Sequence, residues 1–252
     1  MATTQSGREN SLSQASGTAR DSLIPTQGAW WKFGVGLLML YVIYGTFFVA
    51  KGAKGFVDNG EVARIIFFHV PVAALSSLWF LLSGVYAVQY LFFPKKATFE
   101  TDSKSAICME LGFLQCILAT ITGSIFAYPE WGSFWNWDPR ETSIVLMLLL
   151  YAAYLVLRGA LREQIEKRAR LSAVYAIIAL VPGLFLIWVP TRIESLGSNH
   201  PTTVLTDAAS TSSTYKLVLA VSFLAFILLF VWLFQLRLRL YRLIARKQMR
   251  IQ

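Results

Sequence analysis

Two histidines, three arginines and a cluster of tryptophans are the residues of this 252-residue chain best suited to hold a ligand. The segment from Tyr128 to Thr142 reads Tyr-Pro-Glu-Trp-Gly-Ser-Phe-Trp-Asn-Trp-Asp-Pro-Arg-Glu-Thr, with Trp131, Phe134, Trp135 and Trp137 crowded together. A single such ring is explained by the preference of Trp for the headgroup level of a bilayer. A belt of that kind scatters rings around a rim, whereas this segment gathers them beside Gly132, where a flat object can approach the backbone. On a short helix Trp131 and Trp135 share one face, and Phe134 and Asp138 the neighbouring one. That arrangement makes an aromatic shelf suited to a large, planar, apolar ligand. Asp138-Pro139-Arg140-Glu141 also predicts a helix start: Asp caps, Pro suits the first position, and Glu at the third completes a capping box.

The two histidines are His69, in Arg64-Ile-Ile-Phe-Phe-His-Val-Pro71, and His200, in Gly197-Ser-Asn-His-Pro201. Taken alone, each reads as a hydrogen-bonded interfacial histidine. Taken with the tryptophans they suit a flat iron macrocycle, which needs axial nitrogens above and below its plane. Arg64, Arg140 and Arg192 lie near these segments. They read either as carboxylate partners for such a ligand or as plain juxtamembrane charge. Cys108 and Cys116 are eight residues apart, about 12 Å along a helix and too far for a disulfide, so they read as small core residues. No Cys-x-x-Cys-His occurs, which excludes self-attachment of c-type haem. No nucleophile or general base stands out in the loops expected outside, so the chain reads as a non-enzyme.

The elements that must position these residues are membrane crossings. The composition is 56% hydrophobic and 15% charged with a mean hydropathy of +0.54, too apolar for a soluble domain. The excess is gathered in blocks free of Asp, Glu, Lys and Arg: Phe33–Ala50, Ile65–Pro94, Leu111–Pro129, Leu171–Thr191 and Leu217–Leu236, with Thr142–Leu157 a shorter one. About 20 apolar residues cross the hydrocarbon core, so the expectation is an all-α polytopic membrane protein with six transmembrane helices. Of the 23 Lys and Arg, only Lys51, Lys54, Arg64, Arg140, Arg192 and Lys216 fall on one side of such a topology. Excess positive charge marks the cytoplasmic face. Both termini are therefore expected in the cytoplasm, with the Trp-rich loop on the outer face between helices 3 and 4. The net charge of +9 then reflects topology rather than nucleic-acid binding.

Residues 1–28 are polar and lack the apolar run of a signal peptide, which predicts a disordered cytoplasmic lead. The expected membrane domain covers 29–236, with the ligand loop at 128–142. The basic stretch 237–252 is expected as a cytoplasmic tail that meets anionic lipid or docks a cytoplasmic ATPase. No internal repeat is visible, which gives no support to an inverted-repeat carrier.

Trp131-Gly-Ser-Phe-Trp-Asn-Trp-Asp138 resembles the tryptophan-rich "WWD" signature, W-G-x-x-W-x-W-D, of the haem-handling membrane proteins of cytochrome c biogenesis. The length, the six crossings, the Arg-x-x-x-x-His-x-Pro stretch and one histidine after the fifth crossing resemble the cytochrome c maturation protein C (CcmC) family. The continuation Pro139-Arg-Glu-Thr142 is similar to that of CcsA-type synthase subunits, which remain an alternative, as does a membrane b-type cytochrome. The resemblance implies a protein of the bacterial plasma (inner) membrane that holds haem b as transient cargo at the outer face. His69 and His200 would be its axial ligands. Trp131, Gly132, Phe134, Trp135, Trp137 and Asp138 would form the platform, and Arg64, Arg140 and Arg192 would pair with the propionates. The implied partners are a periplasmic haem chaperone (CcmE-like), a small membrane helper (CcmD-like) and ABC transporter subunits (CcmA- and CcmB-like).

Overall fold

The structure is a computed structural model that describes residues 28–50, 60–190 and 212–251. His200, Arg192 and the polar lead up to residue 27 lie outside the described residues. Six long helices and short helical turns make up the described chain, which contains no strand. They are α1 (Ala29–Tyr44), α2 (Ile66–Phe92), α3 (Phe99–Trp131), α4 (Pro139–Ala160), α5 (Ile165–Trp188) and α6 (Ser213–Ile251). A π-helical turn, Gly45–Val49, extends α1, and a 3-10 turn, Val62–Ile65, leads into α2. Six spans are long and apolar enough to cross a membrane, as the charge-free blocks predict. The chain divides into two compact units, residues 1–37 and 38–252. Of the first, the described part is Gly28 and the start of α1, where Trp30 and Phe33 are exposed.

Within the second unit, α2 and α3 form the central antiparallel pair. With α4 and α5 they enclose a core of Phe80, Met109, Cys116, Met147, Tyr151 and Tyr154. A second core, with Val72, Leu75, Trp79, Ile107 and Leu111, joins the same pair to Phe226 and Phe230 of α6. Lipid offers no hydrophobic drive between helices, so close approach depends on small side chains. On α5 these are Ala169, Ser172, Ala173, Ala176, Ala179 and Gly183, all buried. Ser83 on α2 and Ser105 on α3 each donate a hydroxyl to the other's carbonyl, at 3.0 and 3.1 Å.

Two helices run well past their charge-free blocks because their charges are paired. The first turns of α3 carry Glu100, Asp102 and Lys104, and Glu110 follows. Asp102 receives both ends of the Arg158 guanidinium, at 2.6 and 3.0 Å. Glu100 pairs with Lys104 and Arg242, at 2.8 and 3.0 Å. Glu110 pairs with Arg237 and accepts from the Tyr241 hydroxyl at 2.5 Å. These bonds hold α3 to α4 and α6, and α6 continues without a break through the basic stretch to Ile251.

Asp102 and Arg158 are only 6% and 10% exposed in their side chains. Removing one partner leaves a buried charge alone. Arg158→Met should therefore cost about 3–5 kcal/mol, and Asp102→Asn added to it should recover part of that loss. Denaturant titration of the two variants in detergent micelles checks both values.

Candidate functional site

His69 stands in the first turn of α2. Two residues on, Pro71 has no N–H to give to the carbonyl four residues earlier. That carbonyl belongs to Phe67, and the Ser222 hydroxyl of α6 donates to it instead. The imidazole is half-buried, and its Nδ1 lies 3.0 Å from Oγ1 of Thr122 on α3. The neighbouring Gly123 leaves the ring room: a Cβ there would come within 3.1 Å of His69 Cε1.

The Trp-rich segment does not form the short helix on which those faces would be shared: beyond Trp131 it is non-helical as far as Asp138. α3 runs to Trp131 and ends at Gly132, whose φ of +76° places it in the left-handed region that glycine adopts without cost. Nothing lies near Gly132 on the side where a Cβ would point. From Gly132 to Asp138 the chain is extended or bent, so Trp131 and Trp135 share no helical face. Among the described residues the rings of this segment make three pairwise contacts. Trp131 meets Phe126 edge-on at 5.5 Å, Phe134 stacks on Tyr128 at 4.4 Å, and Trp137 meets Trp135 edge-on at 5.8 Å.

The capping box is present as the sequence predicts, and it does more than start a helix. Asp138 accepts from the Arg140 N–H at 2.8 Å. The buried carboxylate of Glu141 accepts from the N–H groups of Asn136 and Asp138, at 2.7 and 3.2 Å. Ser133 Oγ donates to the Trp135 carbonyl at 2.9 Å, and Thr142 Oγ1 donates to that of Trp137 at 3.3 Å. Between these ties Trp137 is held at φ +55°, a conformation that costs a non-glycine residue about 1–3 kcal/mol.

A cavity of about 290 Å³ opens among α2, α3, α4, α5 and this segment, near the lower end of the usual range for small-molecule pockets. Its wall includes His69, Trp135 and Arg140 from the expected site residues. Gly123, Thr120, Ser124, Cys116, Glu141, Met147 and Leu186 line it as well. From Arg140 to Met147 the cavity follows α4 for about 10 Å at 1.5 Å per residue. Arg140 is half-buried, and its Nε–H is buried with no hydrogen-bond acceptor among the described residues. Such an orphaned cationic donor fits an anionic group on a ligand.

The other expected residues stand outside this wall. Trp131, Gly132, Phe134, Trp137 and Asp138 belong to the segment but do not line the cavity. Arg64 sits in the 3-10 turn, donating to the Phe47 carbonyl of the π-turn at 3.0 Å and pairing with Glu61 at 2.8 Å. Among the lining residues that the sequence did not mark for a site, Gly123 carries no signal by type alone, and Cys116, expected as a small core residue, belongs to the core and lines the cavity too. Glu141 carries a signal, but only as part of a cap.

The chain is similar to several known proteins. The chain is 34% identical over 124 residues to a cytochrome c biosynthesis ccmC-like mitochondrial protein of Marchantia polymorpha, covering 49% of this chain and 50% of that one. It is 28% identical over 178 residues to heme exporter protein C of Bradyrhizobium diazoefficiens, covering 70% and 65%. Over 84 residues it is 39% identical to the cytochrome c biogenesis protein CcsA of Prochlorococcus marinus, covering 33% and 26%. The matched region spans about half the length of the first of these relatives. A family model described as heme exporter protein C matches residues 15–252. Since that match takes in all six helices and the Trp-rich segment between α3 and α4, the chain belongs to the heme exporter protein C (CcmC) family.

Proposed function

We propose that this protein serves cytochrome c biogenesis by holding haem at the outer face of the bacterial inner membrane and passing it to a periplasmic haem chaperone. The observation that carries this reading is the meeting of His69, Trp135 and the orphaned Arg140 donor in one cavity. An imidazole suits an iron ligand, an indole suits the edge of a porphyrin, and a guanidinium suits a propionate. His200, in the sequence between α5 and α6, would supply a second imidazole nitrogen, and Arg192 a further carboxylate partner. Trp131, Gly132, Phe134, Trp137 and Asp138 belong to the segment that carries Trp135 into the cavity wall and would support the haem from there, while Arg64 would serve the haem carboxylates. The uneven spread of Lys and Arg supports the placing of this end outside and of both termini in the cytoplasm.

The work is capture and presentation of haem b as cargo, not turnover. His69 and His200 would hold the iron through imidazole nitrogens, and the chain's own part is to orient the ring, exclude water from the cavity and keep the propionate edge fixed. The expected partners are a CcmE-like chaperone, a CcmD-like helper and CcmA- and CcmB-like transporter subunits. The names of the relatives, which include heme exporter protein C and a cytochrome c biogenesis protein, support this assignment.

In purified protein, His69→Ala and His200→Ala should each lower haem absorbance per chain and shift the remaining band. Unchanged spectra in both variants would show the ligand assignment to be wrong. Transfer of haem to an added chaperone supports this reading, and redox cycling by quinol without transfer would instead indicate an electron-carrying cytochrome. Arg140→Gln removes a charge-assisted hydrogen bond of about 1.5–3 kcal/mol, so haem titration should show an affinity about ten-fold weaker or more. Arg140→Lys should fall between it and the unaltered protein.

A further inference from the structure

A histidine ligand is useful to a metal only if the right nitrogen holds the lone pair. For a neutral imidazole, the nitrogen without a proton is set by what the other nitrogen bonds. The partner of His69 Nδ1 is Thr122 Oγ1, at 3.0 Å. A threonine hydroxyl both donates and accepts, so its proton must be located first. Thr122 Oγ1 also lies 2.7 Å from the Leu118 carbonyl and 3.3 Å from that of Ala119. Carbonyl oxygens only accept, and two oxygens at 2.7 Å need a proton between them. The Thr122 proton is therefore committed to the turn beneath it. Only lone pairs remain to face His69, and the bond between them requires the proton on Nδ1.

We infer that Thr122 is a positioning residue that holds the neutral His69 ring in the form with Nδ1 protonated, leaving the Nε2 lone pair as the metal-binding one. Gly123, the next residue of α3, fixes the tilt of the same ring, because the imidazole edge at Cε1 occupies the place of a side chain. Two consecutive residues thus set both the protonation and the orientation of the only described histidine. A hydrogen bond donated through the far nitrogen raises the basicity of a ligating imidazole, and loss of such a partner typically weakens metal binding about 10–100-fold. That consequence rests on the reading of His69 as an axial ligand. The protonation of the ring does not.

The test uses the full chain in lipid nanodiscs, free of haem, at a pH of about 8, above the ordinary imidazole pKa of about 6.5. Labelling with 15N-histidine gives signals for two residues, and those absent from His69→Ala belong to His69. We expect Nδ1 to show the shift of a protonated nitrogen and Nε2 that of an unprotonated one. Thr122→Val should abolish this preference and Thr122→Ser should restore it. Protonated Nε2 in the unaltered protein overturns the inference, with no variant needed. In a ferric haem titration, Thr122→Val should bind about ten-fold more weakly, and Thr122→Ser close to the unaltered protein. Equal affinity for Thr122→Val would overturn the positioning role. Equal affinity for His69→Ala would overturn the axial-ligand reading alone, because the nitrogen shifts still decide the ring's protonation.

Discussion

Glu141 reaches out of its own helix to collect two N–H groups of the Trp-rich segment, and the candidate site is organised around that carboxylate. An ionised carboxylate accepts hydrogen bonds strongly, and burial removes the water that would compete for it. The bonds fix Asn136 and Asp138, and so the direction from which Trp135 enters the cavity wall and Trp137 leaves it. Asp138 and Pro139 start α4 at the same point, which brings Arg140 into that wall one residue later. The loop and the helix are consequently one structure, tied by Glu141, Asp138 and Thr142.

The same demand for satisfied polar groups is met at both ends of the bundle. Hydrocarbon supplies no hydrogen bonds, so a proline inside a crossing needs another donor for the carbonyl it frees. Ser222 supplies one at Phe67, and the Tyr215 hydroxyl donates to Ala63 at 3.0 Å in the turn before. Both bonds run from α6 to the entrance of α2, two to six residues from His69. At the far end of the bundle charges are paired in the same spirit, with Asp102, Glu100 and Glu110 each matched by a cation on another helix.

Periodic and compositional signals made the crossings legible, because a span must be apolar whatever it packs against. The true starts and ends of α3 and α6 were not legible, since Asp102 or Arg237 looks like a boundary until its partner is known. The capping box at Asp138 could be read locally, because all its groups lie within four residues. The shape of the Trp-rich segment could not. Its alternation of rings fits a helix, and only Gly132 in the left-handed region and the reach of Glu141 to Asn136 decide otherwise. The cavity itself is a property of four helices at once, so the roles of Gly123, Thr122 and Cys116 emerge only from packing.

Trp137 stays 70% exposed while its backbone is pinned in a left-handed turn on both sides. Ordering a side chain and its loop at the moment of contact ordinarily subtracts from affinity. Here much of that ordering is completed during folding, so whatever docks against the ring meets a preorganised surface whose entropic penalty has already been met.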